Sequence, residues 1–280
     1  PPSGMQLVQS IDTQVADVHF PADGPADLIA QRALRCAVSD LAAMGATPQG
    51  FHLALTLTNN NPDWLEKFSS GLRAAAHSAG LALLGGDTTR GSCRSITVAV
   101  QGWIKPGQAL LRSGAKPGDD IWLSGRIGLS AVALPRVLSN PASRQEDHLD
   151  FWLPEPRLAL GRRLAGIANA AIDLSDGLIQ DSHHVAQDSN VLMDIRGEQL
   201  PTAVAPGNPA WTQCLAGGDD YELLFCAAGE LREKIEAIGR ELDIPLTRIG
   251  MCRDVTNNPE TRISLNGQPL TLAERGFQHF

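Results

Sequence analysis

Apolar and polar positions along the first hundred residues follow two periods. Alternation or a short apolar run predicts a strand, whereas a period near 3.6 predicts a helix. Strands are expected at 5–12, 51–58, 81–87 and 95–104, and helices at 25–46 and 61–80. Asn61 followed by Pro62 is typical of a helix start, and Gly80 of a helix stop. Because only two sizeable helices are available to cover several strands, this sheet is expected to need a partner surface.

The residues beyond 105 repeat this alternation after a break. The stretch 105–120 is rich in Gly and Pro and lacks an apolar period, so it is the best candidate linker. The later pattern predicts a strand and turn at 121–128, helices at 129–139, 156–169, 177–188 and 230–242, and strands at AAID, VLMDI, YELLFCAA, LTRIGM and RISL. The chain is therefore predicted to be an α/β protein with mixed sheets, in two domains at 1–107 and 108–280.

Composition and charge narrow the classes of partner. A net charge of −8 over 280 residues argues against nucleic acid or an anionic membrane as the main partner. The five cysteines are widely spaced without a CxxC pair, which favours reduced thiols over a zinc site or a disulfide framework. Neither a transmembrane run nor a signal peptide is expected, so a cytoplasmic location is predicted.

Aspartates at short, glycine-punctuated breaks in apolar segments are the main candidates for chemistry. They are Asp12, Asp40, Asp87, Asp173, Asp176, Asp219 and Asp220. Two carboxylates about 4 Å apart repel by roughly 4 kcal/mol at an effective dielectric near 20, so converging carboxylates need protons or cations among them. Oxygen ligands without a Cys/His cluster favour Mg²⁺ or Mn²⁺ over zinc. Metal beside glycine-rich turns suggests phosphate chemistry.

The strings around these aspartates each allow a functional and a structural interpretation. In LALLGGDTTRG the glycines let backbone N–H groups approach a phosphate, and Asp87 holds a metal; alternatively the string is a tight turn. In AIDLSDGL, Asp173, Ser175 and Asp176 face one ligand at a helix N-terminus, or simply cap the helix. Asp40 on an apolar helix face is either coordinated or bonded to a nearby backbone amide.

Other strings carry weaker signals. AGGDDYELLF is either a second acidic site or a loop that leads into a strand, and His19 alone is more often structural than functional. His183 and His184 are adjacent on a predicted helix, so they do not face one ligand. The chain lacks GxxxxGK[ST], the protein-kinase motif set and the nucleophile elbow of Ser-His-Asp hydrolases.

Taken in order, these strings resemble the thiamine-monophosphate kinase family of the aminoimidazole-ribotide-synthetase-like superfamily. The matching strings are SIDTQVADVHF, AVSDLAAMGATP, LLGGDTTRG, LLRSGAKPGDDIWLSG, PEPRLALG, AIDLSDGLIQD, LAGGDDYELLF, LTRIG and GFQHF. Shared order over nearly the whole chain is more specific than any single motif. The resemblance implies two α/β domains, a homodimer formed through the N-terminal domain, and transfer of the γ-phosphoryl group of ATP onto thiamine monophosphate, giving thiamine diphosphate.

The resemblance also implies roles for individual residues. Several Mg²⁺ ions are expected at Ser10, the backbone carbonyl of Ile11, Asp12, Asp40, Asp87, Asp173 and Asp176. The co-substrate ATP is expected at Gly86, Asp87, Arg112 and Ser175, and the acceptor at His19, Asp219 and Phe277. No general base is assigned, because an acceptor phosphate oxygen is already ionised at neutral pH; transfer is expected to be direct and in line.

The sequence departs from the family pattern in three places. Ile11 stands where Thr is usual, Asp219 stands where Glu is usual, and the acidic pair that precedes the first strand lies outside the chain. Two alternatives stay open: another ATP-dependent enzyme of the superfamily, such as the cyclase of purine synthesis, or a non-catalytic ATP–Mg²⁺ binding protein. The LSDGL and GGDDYEL contexts favour the kinase over the cyclase.

Overall fold

The computed structural model describes residues 1–255, 258–270 and 276. The first sheet has the strand order β1-β4-β2-β3. Its elements are β1 (Gln6–Val15), α1 (Ala26–Ala43), β2 (Thr47–Leu57), α2 (Pro62–Ala79), β3 (Ala82–Arg90) and β4 (Ser95–Ile104). The β2–β3 pair is parallel and the other two pairs are antiparallel. The mixed sheet therefore agrees with the prediction.

The second sheet has seven strands in the order β11-β10-β7-β9-β5-β8-β6. The strands are β5 (Asp120–Ser124), β6 (Ala170–Asp173), β7 (Leu192–Arg196), β8 (Leu223–Ala227), β9 (Leu246–Arg253), β10 (Glu260–Leu265) and β11 (Gln268–Pro269). The helices are α3 (Leu129–Ser139), α4 (Glu146–Trp152), α5 (Leu158–Leu164), α6 (Leu178–Ser189), α7 (Trp211–Ala216) and α8 (Arg232–Leu242), with 3₁₀ turns at Gly197–Gln199 and Gly229–Leu231. Strands β5, β6 and β8 are buried along their whole length, which explains their continuous apolar runs.

The predicted α/β class with mixed sheets is confirmed, and most helix boundaries agree closely. Helix α2 begins after Asn61, whose side chain accepts from the N–H groups of Asp63 and Trp64, and it ends at Gly80 with φ +68°. The predicted helix at 156–169 is wrong in length, because the structure keeps only Leu158–Leu164. Helices α4 and α7 escaped prediction because each is under two turns long, too short to show a period. The domain boundary at 107/108 stays a prediction.

The two faces of the first sheet differ in what covers them. Helices α1 and α2 share a core with one face, which includes Val8, Val98 and Val100. On the opposite face, Leu7, Ile11 and Leu84 are 42%, 69% and 48% exposed. The uncovered face therefore presents large apolar side chains to the surface of the single chain.

The remaining composition-based expectations concern thiols and membranes. All five cysteines are free, and four of them are buried. Among the described residues, no helix combines the length and apolar character needed to cross a bilayer.

Candidate functional site

Four of the predicted ligand-binding residues line one cavity of about 200 Å³. Ser10 reaches it from β1, Asp40 from α1 and Asp173 from the end of β6, while Arg112 lies in the segment before β5. Ser10 Oγ donates a hydrogen bond of 2.5 Å to Asp40 Oδ2. Residues that lie far apart in the sequence therefore meet at this cavity, between an element of the first sheet and an element of the second.

The carboxylates near this cavity carry raised pKa values. Burial, and then the negative charge of Asp40, raise the pKa of Asp173 to about 7. Burial also raises the pKa of Asp40, against a lowering contribution from the Ser10 hydroxyl and from Arg112. The pKa of Asp12 is raised by burial and then by the charge of Asp40. These aspartates are therefore under-neutralised by the protein itself.

Two glycine-rich loops meet beside this cavity. The N–H of Asp219 donates to the Ser175 carbonyl at 2.9 Å, which joins the loop after β6 to the loop before β8. Gly218 permits this contact, because a Cβ there would lie 2.3 Å from the Ser175 oxygen and φ is +66°. Asp176 Oδ2 accepts from Gln180 Nε2 at 2.9 Å, and Ser175 is exposed. Ser175 and Asp176 are therefore placed beside Asp219 by backbone contacts.

Asp219 is paired with a cation of the protein, unlike the aspartates of the cavity. Arg32 Nη2 donates to Asp219 Oδ1 at 2.7 Å, and the Tyr221 hydroxyl lies 3.2 Å from the same oxygen. Asp219 and Tyr221 both have left-handed backbone conformations, with φ of +61° and +53°. Such strain in non-glycine residues persists only where surrounding contacts hold it.

The other residues predicted to contact the phosphate-accepting substrate are His19 and Phe277. His19 Nδ1 accepts from the N–H of Val15 at 3.1 Å, and its carbonyl accepts from Arg32 Nε at 3.3 Å. Arg32 therefore contacts both His19 and Asp219. Phe277 lies outside the described residues.

Asp87 is separated from the other predicted metal ligands. The register pairs Asp87 with Ala54, and Ala54 with Thr97, whose hydroxyl lies 2.8 Å from that of Thr13 on β1. Side chains alternate along a strand, so Asp12 and Asp87 lie on opposite faces of the sheet. Asp87 is exposed on the uncovered face, as is the side chain of Ile11. One chain does not bring Asp87 to the cavity.

Gly86 lies within β3, so the alternative of a tight turn at Gly85-Gly86 is wrong. The strand continues to Arg90, beyond the predicted end at residue 87. A Cβ on Gly86 would lie 2.0 Å from the Leu53 carbonyl oxygen, so glycine is required by the close approach of β2.

The donor set fits Mg²⁺ in its chemistry but is incomplete in one chain. Hydroxyl and carboxylate oxygens are the ligands that Mg²⁺ prefers, and the raised pKa values at Asp40 and Asp173 mark a position where a cation would be favourable. Within the described part of the chain, no group of three or more His, Cys, Asp or Glu residues is arranged to hold a metal ion. Further ligands must come from phosphate oxygens, water or another chain.

Two further aspartates are buried near these loops: Asp181, which sequence reasoning did not single out, and Asp220, which was a candidate for chemistry but was assigned no ligand. Asp181 Oδ2 accepts from the N–H groups of Asp176 and Gly177 at 3.0 Å, and burial followed by the charge of Asp176 raises its pKa to about 8. Asp220 Oδ1 accepts from the Gly128 N–H at 2.7 Å, and burial raises its pKa well above the ordinary value. Asp181 could have been found, because it ends the string AIDLSDGLIQD and is spaced to bond the helix start.

Comparison with known proteins gives a consistent result. Residues 1–104 match the family described as AIR synthase related protein, N-terminal domain. Thiamine-monophosphate kinase of Salmonella typhimurium is 41% identical over 292 residues, covering 100% of this chain and 88% of that protein. The solved structure of thiamine-monophosphate kinase from Stenotrophomonas maltophilia is 39% identical with a TM-score of 0.89, over 96% of this chain and 88% of that chain.

A further solved structure is similar at lower identity. It is AaThiL complexed with AMPPCP and TMP, which is 25% identical with a TM-score of 0.85, over 99% of this chain and 88% of that chain. Similarity in sequence over the whole of this chain, and in fold over nearly all of it, together with the ordered strings noted above, assigns the family. The chain belongs to the thiamine-monophosphate kinase family.

Proposed function

We propose that this chain phosphorylates thiamine monophosphate with ATP to give thiamine diphosphate, by direct in-line transfer of the γ-phosphoryl group. The observation that carries the proposal is the similarity, over nearly the whole chain, to kinases named for this acceptor, one of them complexed with AMPPCP and TMP. The cavity lined by Asp40, Arg112 and Asp173 lies beside the Ser175–Asp219 loops, which suits two ligands that must meet.

The proposed ATP side of the site uses charge neutralisation. Arg112 and Ser175 bind the nucleotide, with the Gly86–Asp87 segment near its phosphates. Ser10, the Ile11 carbonyl, Asp12, Asp40, Asp87, Asp173 and Asp176 would hold the Mg²⁺ ions. When bound, these ions supply positive charge between two phosphate-bearing substrates.

The acceptor side uses His19, Asp219 and Phe277. No residue acts as a general base, because the attacking phosphate oxygen carries no proton to remove at neutral pH. The contribution of the protein is therefore alignment of the two substrates, together with electrostatic stabilisation.

We propose that the active form is a homodimer formed through the uncovered face of the first sheet. Leu7, Ile11 and Leu84 on that face would be buried against a second copy. Asp87 lies on the same face, so its contribution to an ATP site also requires the partner copy. Light scattering at micromolar concentration tests this: a fully active monomer would contradict a shared site.

The remaining predictions are retained as proposals. These are a cytoplasmic location and two domains at 1–107 and 108–280. ATP, thiamine monophosphate and a second copy of the chain are the proposed partners, without nucleic acid or membrane.

An ADP-release assay distinguishes the proposed kinase from its alternatives. We expect ADP release that depends on Mg²⁺ and on thiamine monophosphate, with thiamine diphosphate as the second product. ADP release with aminoimidazole precursors but not with thiamine monophosphate would indicate a cyclase of the superfamily. Nucleotide binding without ADP release would indicate a non-catalytic protein.

A further inference from the structure

Arg32 is a buried cation that the proposed reaction does not yet use. It lies in α1 and is 2% exposed, and its guanidinium carbon lies 4.0 Å from the centre of the Phe151 ring. Burial alone would lower the pKa of its guanidinium, but the negative charge of Asp219 and neighbouring groups raises it above the ordinary value. Arg32 is therefore charged, and its location requires a partner.

The guanidinium fork divides its hydrogen bonds among three segments of the chain. Nη2 donates to Asp219 Oδ1 at 2.7 Å, Nη1 to the Phe151 carbonyl at 2.7 Å, and Nε to the His19 carbonyl at 3.3 Å. Two of these segments contain residues proposed to bind thiamine monophosphate. His19 lies in the connection between β1 and α1, and Asp219 lies in the connection between α7 and β8. A planar fork with fixed directions holds them at a fixed separation, which a flexible lysine cannot do.

The same contacts decide which oxygen of Asp219 is available. Arg32 and Tyr221 both contact Oδ1, and among the described residues no hydrogen-bond donor to Oδ2 is found. The Asp219 side chain is 30% exposed, so it remains accessible to a ligand. A carboxylate that is already ion-paired attracts Mg²⁺ weakly but still accepts a hydrogen bond from an organic N–H group.

We propose that Arg32 is a positioning residue of the site for thiamine monophosphate. It holds Asp219 Oδ1 and the His19 backbone in place, so that Asp219 Oδ2 accepts a hydrogen bond from an N–H or O–H group of that substrate. This inference rests on the proposed function. The same contact explains how the strained loop that contains Asp219 and Tyr221 keeps its conformation, because the ion pair between Asp219 and Arg32 ties this loop to α1.

The test compares Arg32→Met, Arg32→Lys and the control Arg35→Met. Arg35 lies one turn further along α1 and bonds the Pro154 carbonyl and Glu155, so it also joins α1 to the second half of the chain. Calorimetry gives Kd for thiamine monophosphate and for AMPPCP separately, each with Mg²⁺, and steady-state kinetics gives KM and kcat. Thermal unfolding reports folding of each variant.

We expect Arg32→Met to weaken thiamine monophosphate binding at least tenfold and AMPPCP binding less than threefold. Arg32→Lys should recover part of the lost affinity, because it restores charge without the fork. Arg35→Met should change both affinities less than threefold, even where it lowers the unfolding temperature equally. A purely structural role for Arg32 would not separate the two ligands.

Three results would overturn the inference. The first is that Arg32→Met binds thiamine monophosphate with unchanged affinity. The second is that Arg32→Met loses affinity for thiamine monophosphate and for AMPPCP equally. If Arg32→Met does not fold, Arg32→Lys is combined with Asp219→Asn in a double variant. The third contradicting result is then that the losses of affinity for thiamine monophosphate are strictly additive, whereas non-additive losses would support coupling between the two residues. Failure of the wild-type protein to bind thiamine monophosphate would instead reject the proposed function, and the inference with it.

Discussion

Two groups of carboxylates in this chain have opposite electrostatic surroundings. Around the cavity, burial raises the pKa of Asp40 and of Asp173, the charge of Asp40 raises the pKa of Asp173 further, and Arg112 offsets these increases only in part. At the loop before β8, Asp219 forms an ion pair with Arg32. The same residue type therefore suits two different ligands: a cation from solution at the cavity, and a hydrogen-bonding organic group at the loop.

The difference teaches that the acidic residues of such a site should be sorted by their internal partners. A carboxylate left without a protein cation favours a bound metal, because the metal removes unfavourable charge. A carboxylate with a buried arginine gains little from a metal. The following predictions test this division.

The largest expected effect is on turnover in Asp87→Asn and Asp176→Asn. Each change removes one charge while keeping the shape, so loss of a metal ligand should reduce kcat by roughly a thousandfold, or about 4 kcal/mol. Initial rates at saturating Mg²⁺ measure this. Asp188→Asn, at an exposed position on α6, is the control and should be near normal. Near-normal turnover in both test variants would reject their assignment as metal ligands.

The second prediction concerns stability and pH in metal-free protein. The pKa of Asp173 is about 7 in the folded chain, against an ordinary value of 3.8, so the folded state binds more protons between these values. The contribution of this group to the free energy of unfolding is therefore greatest below about pH 4. It falls by roughly 4 kcal/mol as the pH rises to about 7.

Denaturant unfolding at a series of pH values checks this contribution. Asp173→Asn should flatten the pH dependence between about pH 4 and about pH 7, the range set by the two pKa values. Mg²⁺ added at the upper end should stabilise the wild type more than the variant. Equal Mg²⁺ stabilisation of both would show that Asp173 does not sense the ion.

The third prediction is that Asp219→Ala acts on the acceptor rather than on the nucleotide. A charge-assisted hydrogen bond contributes about 1.5–3 kcal/mol, so KM for thiamine monophosphate should rise roughly ten- to hundredfold. KM for ATP at fixed Mg²⁺ is the internal control. A change in the ATP and Mg²⁺ dependence, with acceptor KM unaltered, would place Asp219 with the metal ligands and remove the division between the two groups.

The smallest effect is expected for Ser10→Ala. The Ser10 hydroxyl donates to Asp40 and lowers its pKa, so its loss should raise that pKa further and destabilise the ionised state by about 1 kcal/mol. Unfolding of the metal-free protein near neutral pH measures this. Thr13→Val, which removes a hydroxyl on the opposite face of β1, is the matched control. Equal losses in both variants would show that the Ser10 effect is not specific to Asp40.

Local sequence patterns predicted the helices, the strands and the candidate carboxylates, because strand ends, helix caps and glycine-rich breaks depend on residues that are close together in the sequence. The partner of Asp219 was not predictable in this way, since Arg32 lies 187 positions away and looks like one more residue of an apolar helix. Alternation along β3 also does not tell which face is covered, so the separation of Asp87 from Asp12 required the strand register.

Helix α1 carries both Arg32 and Asp40 on one rigid rod. Eight residues at a rise of 1.5 Å each separate the backbone positions of Arg32 and Asp40 by about 12 Å along the helix axis. Because α1 is one continuous helix, it fixes the distance between Arg32, at the proposed site for thiamine monophosphate, and Asp40, at the cavity. Under the proposed function, we therefore expect this helix to disfavour acceptor molecules that are longer or shorter by a few ångströms, because their phosphate would lie out of line.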